Sequence, residues 1–205
     1  MNYVLPLVIG FLASLLGFLA PSMLNMTTAR ISIEKGKKAG IQFAFGASCI
    51  VFIQGFIAVT FANYLVANPA IIKQFKAAGI FVLVALSIYF FIQARKKVKV
   101  NQKTNKQHSF VTGLIMSSLN MLAIPYYSVM ATFAESSGWI KIEQPFSTIY
   151  VLGAVLGIFA LFTMYAVFAE LIAKKVQFIS KNINYILSVL FIVLAVSIGI
   201  QLFFK

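Results

Sequence analysis

AGIQFAFGASCIVFIQGFIAVTFANYLVANPAII, residues 39–72, contains no Asp, Glu, Lys or Arg. An α-helix needs about 20 apolar residues to cross the roughly 30 Å hydrocarbon core of a bilayer, and this run exceeds that. Working outward, five further runs are equally free of charge: Met1–Ala29, Ala77–Ala94, Gln107–Ala134, Gln144–Ala169 and Asn182–Phe204. The charges fall almost wholly between them. Backbone in hydrocarbon must satisfy its own hydrogen bonds, so spans of this length are helices. The reading is an all-α integral membrane protein with six transmembrane helices, near residues 3–27, 39–66, 75–94, 109–133, 146–170 and 183–204.

Of the 205 residues 61% are hydrophobic and only 10% charged, too few charges to cover a soluble domain of this size. Spans and short links use nearly the whole chain, so a single membrane domain, 1–205, is expected. No positively charged segment precedes the first apolar run, so a cleaved signal peptide is not expected. The net charge of +13 is spread over loops, which argues for membrane topology and against nucleic acid. Thirteen of the 17 basic residues lie in three loops on one side, beginning at Arg30, Arg95 and Lys174; Lys73, Lys76, Lys141 and Lys205 lie on the other. The positive-inside rule then puts both termini outside.

The longest link, 95–108, is rich in Lys, Asn and Gln and is read as a basic cytoplasmic linker. It divides the chain into 1–94 and 109–205, with three helices each. An odd number of helices forces the second group to enter from the opposite side. If the halves are related, they form two inverted three-helix repeats, a common plan for secondary transporters. Each half opens with a helix containing Gly, Ser, Asn and Pro: Gly10, Ser14, Gly17, Pro21, Ser22 and Asn25, against Gly113, Ser117, Ser118, Asn120 and Pro125.

Pro21 and Pro125 fall inside spans, where proline removes a donor and clashes with the carbonyl four residues back. The amides of Asn25 and Asn120 stand close by and can bond freed backbone or point into a cavity. Ser22, Thr28 and Ser128 add hydroxyls. The pattern predicts two interrupted helices meeting at a polar centre, where half-helix ends could hold a zwitterion. Kinked helices joined by amide hydrogen bonds would give the same pattern. Gln54, deep in the second span, serves either an interhelical bond or a substrate, and Tyr126 follows Pro125 directly. The candidate substrate-binding residues are Pro21, Ser22, Asn25, Thr28, Gln54, Asn120, Pro125 and Tyr126. Gly153-x-x-x-Gly157 has the spacing for close helix contact, within the protomer or in a homodimer.

Several chemistries lack their residues. Cys49 and His108 are the single cysteine and histidine, so no disulfide, thiol relay or Cys/His metal set can form within the chain. The four acids, Glu34, Glu135, Glu143 and Glu170, lie at span ends or in loops. No phosphate-binding loop is present. Neither an enzyme nor a cofactor is expected.

The stretch Pro21-Ser-Met-Leu-Asn25 through Arg30, Gly36-Lys37-Lys38-Ala39-Gly40 to Gly46, with Phe110-Val-Thr-Gly113 and Ser117-Ser-Leu-Asn120, resembles the LysE/RhtB family of amino-acid exporters. The family's Pro-Gly-Pro stands here as Ala20-Pro21-Ser22, and its Asn-Pro as Asn120-Met121, with Pro125 displaced. The resemblance implies a multi-pass protein of the bacterial inner membrane that exports an amino acid or similar small polar metabolite by alternating access, the two three-helix groups rocking around a central site. The alternatives are a non-transporting membrane scaffold or assembly protein, and a metal-ion exporter of the same superfamily.

Overall fold

The computed structural model describes residues 3–67, 108–120 and 122–175, together with residues 81, 84–85, 87–89, 91–92, 94–95, 185–186, 188–189, 192–193, 195–196 and 199–200. Linker residues 96–107 and much of the expected third and sixth spans lie outside that set. Among the described residues every regular element is helical and there is no strand. The long helices are α1 (Val4–Gly17), α2 (Met23–Lys35), α3 (Lys37–Ala67), α4 (Ser109–Ser118), α5 (Ala123–Ser136) and α6 (Phe146–Val167).

Two described helices are long and apolar enough to cross a membrane, Lys37–Tyr64 and Phe146–Val167. A third span results if α4 and α5, bent by 67° across their break, are counted together. The first expected span is likewise two helices. α1 is apolar but only 14 residues long, and the chain leaves the helix before resuming at Met23. α2 runs on to Lys35, well beyond residue 27, and carries an Arg30–Glu34 pair at 2.6 Å. Its end is set by Gly36, at φ 90° and ψ 157°, a conformation open essentially to glycine alone.

The chain divides into two compact units. One comprises Met1–Val66 and Lys103–Lys174; the other comprises Ala67–Gln102 and Lys175–Lys205. Each draws on both halves of the sequence. In the second unit, Ser87 Oγ donates to the Ser188 carbonyl at 2.8 Å, Phe91 meets Tyr185 edge to face, and Ala94 and Ala195 are buried.

In the first unit, glycine decides which helices can touch. A Cβ on Gly10 would collide with the Tyr150 carbonyl, and one on Gly153 with the Leu7 carbonyl, so α1 and α6 cross backbone to backbone. Gly157 meets Phe11 in the same way, which places the Gly153–Gly157 pair in a contact inside the protomer. Gly113 on the Phe43 carbonyl and Gly46 on the Phe110 carbonyl make the same crossing between α4 and α3. The two crossings match residue for residue. Leu7, Gly10 and Ser14 map onto Phe110, Gly113 and Ser117, while Phe43, Gly46 and Ala47 map onto Tyr150, Gly153 and Ala154. Beyond each crossing a serine closes the contact: Ser32 Oγ donates to the Ala166 carbonyl at 2.6 Å, and Ser128 Oγ to the Ala58 carbonyl at 3.0 Å. The outward faces carry exposed Val4, Leu5, Val8, Leu12 and Leu16 on α1, and Leu152, Leu156 and Met164 on α6, as lipid contact requires.

Candidate functional site

Where a helix is interrupted, the last carbonyls of one half and the first N–H groups of the next lose their partners. In hydrocarbon each unpaired group costs several kcal/mol, at the order of magnitude. Both interruptions in the first unit are therefore informative in how they are satisfied.

The first break covers residues 18–22. Pro21 lies in it, half-buried, ahead of the Ser22 N-cap. The exposed Ser22 accepts the Asn25 backbone N–H at 3.3 Å. Asn25 is fully buried, and its Nδ2 donates to the carbonyls of Phe18 and Ala20, each at 2.7 Å. From α6, the Tyr165 hydroxyl donates to the intervening Leu19 carbonyl at 2.8 Å and lies beside the Asn25 amide. Three successive break carbonyls are thus held by two side chains. Thr28, also fully buried, turns its hydroxyl onto its own helix at the Leu24 carbonyl, 2.9 Å away.

The second break lies between Ser118 and Ala123. Its carbonyls are held from α3, where Gln54 Nε2 donates to Ser117 at 3.1 Å and to Asn120 at 3.3 Å. Ser117 Oγ in turn reaches the Ala47 carbonyl at 3.1 Å. Asn120 takes part through its backbone; its half-buried side chain has no hydrogen bond among the described residues. Pro125 is the third residue of α5, in the first turn where its missing N–H is no loss, and it is exposed.

A tyrosine cluster joins the breaks. The Tyr126 hydroxyl donates to the Ala13 carbonyl at 2.7 Å, and its ring meets Phe18 edge to face at 5.1 Å. The fully buried Tyr127 shares a 2.8 Å hydrogen bond with Ser14. Tyr150 Oη reaches the Tyr127 carbonyl at 3.4 Å. The start of α5 is therefore fastened to the end of α1.

Of the residues singled out from sequence, Asn25, Gln54 and Tyr126 come together as bonding members of this region, with Asn120 contributing its carbonyl. Pro21 and Ser22 shape the first break. Thr28 is buried one turn beyond Asn25, and Pro125 faces outward. Tyr127, Tyr150, Tyr165 and Ser14 complete the arrangement. Aromatic residues in spans usually read as packing, and only the crossings show which hydroxyls reach a break.

The two bridging amides share one further property. Each directs its NH2 group at two carbonyls, which fixes the orientation of the amide. The remaining oxygens, Asn25 Oδ1 and Gln54 Oε1, are buried with no hydrogen-bond partner among the described residues. An unsatisfied buried acceptor costs about 1–3 kcal/mol. The region is thus rich in fixed acceptors, and no group of three or more His, Cys, Asp or Glu that could hold a metal occurs among the described residues.

Comparison with curated proteins and with solved structures gave no match. The family comparison did: residues 15–202 match the LysE type translocators, and this span takes in both breaks and the crossing of α3 with α4. On that match the chain belongs to the LysE type translocator family and is a membrane transporter.

Proposed function

We propose that the protein is a secondary transporter exporting amino acids or similar small polar metabolites across a bacterial inner membrane. One observation carries this reading: both leading helices are broken, and the breaks are adjacent, fastened through Tyr126 and Tyr127 to α1. Broken helices whose ends line a polar centre are the usual way secondary transporters present backbone charge to a solute. The residue-for-residue match of the two glycine crossings supports an inverted repeat, and the Ser87–Ser188 pair fits a two-fold relation in the other unit. Six spans with both termini outside complete the proposed topology.

The packing favours a particular motion. The leading helix of each half is pressed, backbone to backbone, on the second helix of the other half. Rocking one sequence half against the other as rigid bodies would open both crossings. The proposed alternating access therefore centres on the breaks, with α1 hinging against α2 and α4 against α5. Side chains hold the Phe18, Leu19 and Ala20 carbonyls at the first break, and Gln54 shares the Ser117 and Asn120 carbonyls with backbone N–H groups at the second, so these side-chain bonds can be exchanged for a solute at modest cost.

The test is to load cells with amino acids and follow their release with and without the protein. Faster appearance of one or a few amino acids in the medium is the expected result. Unchanged release of every primary-amine metabolite would remove the export reading.

A further inference from the structure

The bridging amides leave a chemical signature at both breaks. Asn25 Oδ1 and Gln54 Oε1 are acceptors only, since their NH2 partners are already engaged with carbonyls. Asn25 is fully buried and Gln54 is 6% exposed. Neither oxygen has a partner among the described residues. The Gln54 amide stands at the C-terminal end of α4, where the helix dipole is negative, and Asn25, in the first turn of α2, reaches back to the carbonyls that follow α1. Neither α1 nor α4 carries a basic residue in its last turn. Neighbouring oxygens add to the same sign: the Tyr165 hydroxyl and the Phe18, Leu19 and Ala20 carbonyls at the first break, and the Ser117 and Asn120 carbonyls at the second.

We infer that the two breaks are receptors for small, hard cationic groups, a primary ammonium or an alkali-metal ion, bound through Asn25 Oδ1 and Gln54 Oε1. All the ligating atoms are neutral oxygens, which suit such a cation and reject a carboxylate or phosphate at the same spot. A divalent transition metal would require nitrogen, sulfur or carboxylate ligands. The inference rests on reading the breaks as the transport site, and it assigns to them the positive end of a zwitterionic cargo or a coupling ion.

The experiment is thermal unfolding of the purified protein in detergent at constant ionic strength. Sodium chloride, potassium chloride and methylammonium chloride are compared with choline chloride, whose quaternary nitrogen has no N–H to donate. A ligand that binds only the folded state raises Tm with its concentration. A saturable rise with sodium or potassium identifies an ion site, and one with methylammonium identifies the ammonium of the cargo. Equal Tm in all four salts overturns the inference, and it leaves the transport reading standing if cells still export. Tyr165→Phe keeps the ring and removes one oxygen; Gln54→Leu removes the amide. Loss of a hydrogen bond to a charged group corresponds to about 10-fold or more in half-saturating concentration. A cation effect that survives unchanged in both variants overturns the placement at the breaks. Should Gln54→Leu not fold, Tyr165→Phe decides alone.

Discussion

Asn25 illustrates what one side chain does at an interrupted helix. Its NH2 group holds two part-buried carbonyls that have no helical partner. Asn25→Ala removes both bonds and is predicted to destabilise the protein by about 2 kcal/mol or more, read as a lower Tm in detergent. Ser22 caps the same half-helix from an exposed position, so Ser22→Ala should cost about 1 kcal/mol or less. Equal losses in the two variants would contradict this ranking. The sequence made the Asn25 bond legible, because a proline-broken helix needs a nearby amide. It suggested the same task for Asn120, yet Gln54 performs it from another helix. Spacing along one chain segment cannot reveal a partner that arrives through a tertiary crossing.

The elements show two different reasons for glycine. At Gly36 a Cβ would meet nothing within 4 Å, but the backbone conformation excludes it. Gly36→Ala is predicted to cost roughly 1–3 kcal/mol through backbone strain alone. At Gly10 the backbone is ordinary, and the obstacle is the Tyr150 carbonyl. Gly10→Leu should force α1 off α6, with a loss of about 3 kcal/mol or more and no transport. Thermal unfolding and uptake measured together separate the cases, since Gly36→Ala leaves the crossings intact. Two of the uncharged runs overlap the described spanning helices, Lys37–Tyr64 and Phe146–Val167, but the runs are not helix boundaries. α2 passes through Arg30 and Glu34 to Lys35 because charges at a membrane surface do not end a helix, whereas a glycine-only conformation does. The glycine and serine content of the leading helices hinted at a repeat. Its register, Gly10 and Ser14 against Gly113 and Ser117, has meaning only once the partner carbonyls are known.

For the whole molecule, membrane residence was plain from composition, and the distribution of basic residues gives the proposed orientation. A fluorescent protein fused after Lys205 should therefore remain dark in a bacterial cell, while alkaline phosphatase at the same point should be active. The opposite pair of results would invert the topology. The grouping of helices was not legible. Sequence divides the chain at the linker, whereas packing gathers Met1–Val66 with Lys103–Lys174, because close approach is set by glycines facing backbone across the two halves. The central claim is that the two adjacent breaks form the route for the solute. Its most direct test is counterflow of a labelled amino acid into proteoliposomes carrying the parent protein, Gln54→Leu or Tyr126→Phe, each confirmed as folded. The account predicts counterflow by the parent protein and at least a ten-fold loss in Gln54→Leu, on the order of the 1–3 kcal/mol assigned to one buried polar group. Folded variants that both carry the amino acid at the parental rate would contradict it.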